Sequence, residues 1–171
     1  MMTLWIALCP AVAMAHQAPP KVEPSKDPCG DPMAENQAYL TFKGEVLKVL
    51  SGDTLLVQFP NAGRRYVHLP GLAAPKRGEP GFEASREGLA ALVSGKTKIE
   101  VFVPGSELPK SQSFTAMAGS FDWSERQLAR GLGRFVPVQR CEMGAYNECR
   151  CKLAEQKAQA QRVGIWFSAR P

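Results

Sequence analysis

The chain has 171 residues, room for one ordinary domain with an appendage but not for two full domains. Its 44% hydrophobic and 22% charged content excludes a disordered tail or a coiled coil, and 14 prolines with 15 glycines argue against a helix bundle. A net charge of +5 permits an anionic partner without requiring one.

The amino terminus opens on an apolar stretch, Leu4 to Val12, followed by Ala13-Met14-Ala15, the small-x-small pattern that a signal peptidase accepts. Residues 1–15 are therefore expected to be a secretion signal, with delivery to the bacterial periplasm or exterior. No apolar run is long enough to predict a membrane-spanning helix. Residues 16–38 carry Pro19, Pro20, Pro24, Pro28 and Pro32 with few apolar neighbours, the composition of an extended arm.

From residue 39 the pattern changes to strands. Residues 39–50 and 54–59 are β-branched and apolar runs broken by Ser51-Gly52-Asp53, and Pro60-Asn61-Ala62-Gly63 turns the chain into a third strand over 65–69. A helix is predicted over 81–93, with Phe82, Leu89, Leu92 and Val93 on one face and Gly95 as the stop. Residues 98–103 and 114–121 supply a fourth and a fifth strand. Ser124-Glu125-Arg126-Gln127 reads as a capping box opening a short helix that Gly131 ends. A last helix is expected over 147–163, with Gly164 at its stop. Five strands with a helix between the third and fourth is the element order of an OB-type barrel, so the expected fold is mainly β with α, a five-stranded OB-fold barrel with about three helices.

Of five cysteines, Cys9 leaves with the signal, and Cys29, Cys141, Cys149 and Cys151 remain. An even four suits two disulfides in an oxidising compartment. Cys149 and Cys151 fall on the predicted helix two residues apart, where side chains do not face each other, so each is expected to pair with Cys29 or Cys141. Either choice ties the arm to the carboxy-terminal region. Zinc is the poorer reading, because Cys-x7-Cys-x-Cys with no nearby histidine lacks knuckle spacing.

Five segments, in order, resemble the staphylococcal nuclease (thermonuclease-like) family. Gly44 to Leu50 with Ser51-Gly52-Asp53-Thr54 is similar to that family's opening strand and Asp-Gly-Asp-Thr turn. His68-Leu69-Pro70-Gly71-Leu72-Ala73-Ala74-Pro75-Lys76 resembles its Arg-Leu-x-Gly-Ile-Asp-Ala-Pro-Glu segment. Gly81-Phe82-Glu83-Ala84 resembles its Gly-x-Glu-Ala helix start, and Leu128-Ala129-Arg130-Gly131-Leu132-Gly133 its Leu-Val-Arg-x-Gly-Leu-Ala helix. Residues 158–166, closing on Gly164-Ile165-Trp166, resemble its carboxy-terminal helix. The likeness covers residues 42–167, within a domain expected to span 39–171 with a cysteine-containing insertion at 137–151.

What the resemblance implies about chemistry is mostly loss. The family holds calcium by an acid in the turn and another in the second segment, whose closing Glu activates water while two arginines stabilise the phosphate. Carried over, the first metal acid is Asp53, but the second position is Ala73, the base position is Lys76, and the first arginine position is His68. The second arginine position falls near Ser113 and Phe114, and no arginine lies between Arg86 and Arg126. Calcium takes six to eight oxygen ligands including several carboxylates, which Asp53 alone does not supply. Losing a general base costs about 10² to 10⁴ in rate, so little nuclease activity is expected.

Two readings of single residues stay open. Asp53 is either a metal remnant or ordinary hairpin-turn chemistry, and Phe114 is either a base-stacking platform or core. Glu79 is a solvated loop carboxylate unless it replaces the missing base. The expectation is a secreted pseudoenzyme without a cofactor, binding nucleic acid, another phosphate-bearing ligand or envelope proteins. Arg64, Arg65, His68, Lys76 and Arg77 are its candidate anion-binding residues. The alternatives are a phosphodiesterase with a rearranged calcium site built on Asp53 and Glu79, and a structural envelope subunit that uses the arm and the cysteine insertion as its contact surface.

Overall fold

The computed structural model describes residues 27–31, 38–95, 98–120, 122–138 and 140–167, with the backbone alone at 140–142. The expected signal segment and most of the arm lie outside the described residues. The described chain is a mixed β and α structure of eight strands, three α-helices and one 3-10 turn.

Strands β1 (Tyr39–Val49), β2 (Thr54–Phe59) and β3 (Gly63–His68) form an antiparallel meander. Alternation explains β2: Leu55, Val57 and Phe59 are buried, while Thr54, Leu56 and Gln58 point the other way and are half-buried. A bulge between Val46 and Lys48 bends β1, which pairs with β5 (Lys98–Pro104) over Tyr39 to Glu45 and with β2 from Glu45 to Val49 across the bulge. Gly44, ahead of the bulge, is buried against Val57 and Phe59, where a side chain would collide.

The expected fifth strand is divided. Ser113–Thr115 (β6) runs parallel to β3, and Met117–Ala118 (β7) runs antiparallel to β5. The sheet order β6-β3-β2-β1-β5-β7 is therefore open, with β6 and β7 as its two edges and Ala116 alone between them in sequence. Ala116 is fully buried and donates its N–H to the carbonyl of His68. A second, two-stranded sheet joins β4 (Leu72–Ala73) to β8 (Arg134–Phe135), a pair too short to leave a hydrophobic period in the sequence.

Helix α1 (Phe82–Val93) follows its expected span. Helix α2 (Trp123–Ala129) departs from the capping box: its N-cap is Asp122, two residues before Ser124, and the helix starts at Trp123. Ser124 is buried inside the helix and donates to the carbonyl of Pro70 at 2.7 Å, while Glu125 turns to Arg150. Helix α3 (Arg140–Gln161) begins seven residues before its expected start, interrupted at Gly144, and stops before the expected residue 163. Arg162 takes a positive φ of 53°, and Gly164 opens the 3-10 turn Gly164–Trp166.

The sheet and helices share one core. Leu55, Val57, Val67, Val101 and Val103 meet Leu89 of α1, Trp123 and Leu128 of α2, and Met143 of α3. Gln127 crosses this core, donating to the carbonyls of Gly52 and Ser85 at 2.9 Å each. It therefore couples the β1–β2 turn to both α1 and α2.

Candidate functional site

The turn between β1 and β2 is organised by Asp53. One carboxylate oxygen accepts from Ser51 Oγ at 2.6 Å and Thr54 Oγ1 at 2.8 Å, and the other accepts from the Ala74 N–H at 2.9 Å. Its backbone carbonyl accepts from Leu69 N–H at 2.8 Å. Both carboxylate oxygens thus serve the chain itself, fixing the turn and fastening the 69–74 segment to it. This supplies the turn-chemistry reading of Asp53 with a complete set of donors.

His68 ends β3 opposite Thr54. Its Nδ1 lies 3.0 Å from Thr54 Oγ1, and its Nε2 lies 2.6 Å from Ser113 Oγ on β6. A polar line therefore runs from Ser113 through His68 and Thr54 to Asp53. Nothing local in the sequence connects Ser113 to His68, 45 positions away, so the motifs mark Ser113 only as the neighbourhood of a missing arginine.

On the other side of Asp53, Ala73, Ala74, Pro75, Lys76, Glu79, Pro80, Arg134 and Ile165 line an open groove of about 440 Å³. Antiparallel pairing sets Arg134 directly opposite Ala73. Its guanidinium stacks 4.4 Å from the Trp166 ring centre, a cation–π contact that holds it in place. Glu79 accepts the backbone N–H of Lys76 at 2.7 Å, which closes the exposed loop on itself. Among the described residues, neither Lys76 nor Arg134 forms an ion pair. Lys76 and Glu79 were anticipated from the sequence; Arg134 was missed, since only the short β4–β8 register brings it here.

The remaining expected residues are dispersed. Arg64 lies four residues from His68 on the same strand, about 13 Å away at roughly 3.3 Å per residue. Arg65 bonds back to the carbonyl of Arg64 at 2.9 Å, and Arg77 sits 6.0 Å from the ring centre of Phe82, outside the groove. Of the expected anion-binding set, Lys76 lines the groove, while Arg64, Arg65, His68 and Arg77 do not. Phe114 is buried at 9% exposure, 6.3 Å from the Phe59 ring centre, and is a core residue rather than a stacking platform.

The cysteines form one bridge among the described side chains, Cys29 to Cys149, closing 120 residues. Cys151 is a buried free thiol at 2% exposure, which corrects the expectation that all four cysteines are bonded. At about 100° per residue, a step of two along α3 turns Cys151 away from the face that meets Cys29 and into the core. Burial pushes its thiol up to about 12. The side chain of Cys141 lies outside the described residues. Beside the bridge, Arg150 pairs with Glu125 at 2.6 Å and Asp27 at 3.3 Å, and Tyr146 donates to Asp27 at 3.0 Å. The Cys29 N–H, then Tyr146 and Arg150, hold the Asp27 carboxyl below its ordinary range.

No helix among the described residues is long and apolar enough to cross a membrane, and no cluster of three metal-ligating side chains occurs among them. Against known proteins, no family model and no curated sequence matches this chain.

Proposed function

We propose that this chain is a secreted, thermonuclease-like module that has exchanged a calcium site for an anion-binding groove. One observation carries the reading: Arg134 faces Ala73 in register, with Lys76 on the same groove. The resemblance expects a carboxylate at each of positions 73 and 76; the groove presents Lys76 and Arg134 instead, neither of them in an ion pair among the described residues. Glu79 is its single acid, so its balance is positive. A groove of this sign attracts phosphate or a nucleic-acid backbone without an intervening cation, and its affinity falls as salt rises.

The pattern of strands supports the fold implied by the resemblance. Residues 113–118 reach β3 through β6 and β5 through β7, a placement in keeping with the OB-type barrel that the resemblance implies. The Cys29–Cys149 bridge supports an oxidising compartment and, with the expected signal segment, export.

Titration of fluorescent single-stranded DNA at low and moderate salt tests the reading. Wild type should bind in a salt-sensitive, calcium-independent and sequence-independent manner, and Lys76→Glu/Arg134→Glu should bind at least about tenfold more weakly. Equal binding by wild type and variant would remove the groove from the account. Calcium-dependent cleavage abolished by Asp53→Ala would restore the rearranged nuclease.

A further inference from the structure

We propose that Ser113 is an activated nucleophile, driven by a His68–Thr54–Asp53 relay, that accepts acyl groups from carboxylic esters. This reading is independent of the anion groove, because neither Lys76 nor Arg134 takes part in the relay.

Proton bookkeeping along the line fixes its direction. The Thr54 hydroxyl has one proton, donated to the Asp53 carboxylate at 2.8 Å. Toward His68, Thr54 Oγ1 must therefore accept, so the imidazole carries its proton on Nδ1, 3.0 Å away. Nε2 is then bare and accepts from Ser113 Oγ at 2.6 Å. This is the polarity that nucleophilic catalysis needs: a hydroxyl on a base whose far side is oriented by a third group. Thr54 stands between base and carboxylate, transmitting the orientation and letting Asp53 stabilise the imidazolium through one intervening hydroxyl.

The surroundings suit an acyl substrate. Ser113 is exposed on an edge strand, so an ester reaches it without any movement of the core. Tyr66 stands in register with Ser113 and is 39% exposed, which places an aromatic ring beside the nucleophile for an aryl leaving group. In the parallel β3–β6 ladder, Tyr66 N–H bonds to Gln112 and Ala116 N–H to His68. The alternate residues Ser113 and Thr115 consequently direct their N–H groups off the sheet edge. The Ser113 N–H is thus placed to receive a developing oxyanion. Phosphoryl transfer is the less suited chemistry, since no cation contacts Ser113 or His68 among the described residues.

In the first step Ser113 Oγ bonds to the ester carbonyl carbon and its proton passes to His68 Nε2. The bond from carbon to the leaving oxygen then breaks, and the alcohol departs with that proton. Water attacks the acyl-serine, gives its proton to Nε2, and the acid leaves as Ser113 recovers a proton. The sum is ester plus water to acid plus alcohol.

A fluorophosphonate probe reads the nucleophile directly, since Oγ displaces fluoride to leave a stable phosphonate ester. Intact-mass and peptide spectra of the folded protein should show one adduct, on Ser113, with none on Ser120, an exposed serine that bonds to Asp122 instead of a histidine. His68→Gln should slow labelling about 100-fold or more, and Thr54→Val should slow it while Thr54→Ser restores it, in variants whose circular dichroism matches wild type. p-Nitrophenyl acetate should give a burst of nitrophenolate that Ser113→Ala abolishes. Absence of an adduct on folded wild type, or labelling at the same rate in folded His68→Gln, overturns the proposal.

Discussion

Around Asp53, a carboxylate gathers three neutral donors from Ser51, Thr54 and Ala74, all within one turn and the segment packed on it. Around Arg150, a guanidinium spans Asp27 and Glu125 beside a disulfide, joining α2 and α3 to a piece of chain more than 100 residues away. The difference follows from what each must hold. Short bonds from neutral donors to one carboxylate fix local geometry, on which both the groove and the Ser113 relay depend. Charge and a covalent bond anchor residues 27–31, which have little apolar surface to bury.

If that contrast is right, damage to the two regions separates stability from binding. The largest loss should come from Cys29→Ser/Cys149→Ser, which frees a 120-residue loop. Chemical denaturation should show a drop of about 2–4 kcal/mol, with anion binding at 25 °C retained while the fold persists. Loss of binding in the folded double variant would mean that the corner also shapes the groove.

Gln127→Ala should cost less, about 2 kcal/mol, because it leaves a small void and two buried carbonyls, of Gly52 and Ser85, without their donor. Here binding should weaken as well, since Gly52 adjoins Asp53. Unchanged affinity would show that the turn stands without its support from α2.

Cys151 supplies an alkaline test on the anchored side. Its thiol is raised from 9.0 to about 12 by burial, so the folded protein keeps a proton that the unfolded chain loses. Stability should be unaffected below pH 9 and fall as pH climbs toward 12, by at most about 1.4 kcal/mol per pH unit. Cys151→Ala should flatten that fall. In native protein Cys151 should resist iodoacetamide and react only after unfolding; native labelling at this residue would contradict its burial.

Asp27 should give the smallest effect. Its carboxyl is held below the ordinary value of 3.8, so its contribution is present above that value and lost as pH falls through the lowered one. Asp27→Asn should flatten the acid limb of the stability curve, and an unchanged limb would show that the Arg150 corner does not tighten the fold.

Strands β1 to β3 and helix α1 were legible because alternating and helical periods repeat long enough to declare themselves. The division at Ala116 was not, since Ser113 to Ala118 reads as one β run while its halves serve opposite edges. Position Ser124 carried a capping pattern, yet burial against Pro70 claimed its hydroxyl. In the site, Asp53, His68, Ala73 and Lys76 could be singled out because their local motifs resemble those of a known family, and Glu79 because it lies three residues past Lys76. Arg134 and Ser113 could not, because each arrives through pairing with a strand distant in sequence. The reduced state of Cys151 was equally hidden: counting cysteines says nothing of which face of α3 turns inward.

The most direct test of the anion groove is residue-resolved NMR of the protein titrated with inorganic phosphate in the presence of a calcium chelator. The account predicts saturating shifts at the amides of Ala73 and Lys76 and at the Arg134 guanidinium, all with one binding constant. Shifts confined to Arg64 and Arg65, or shifts that appear only when calcium replaces the chelator, would contradict it.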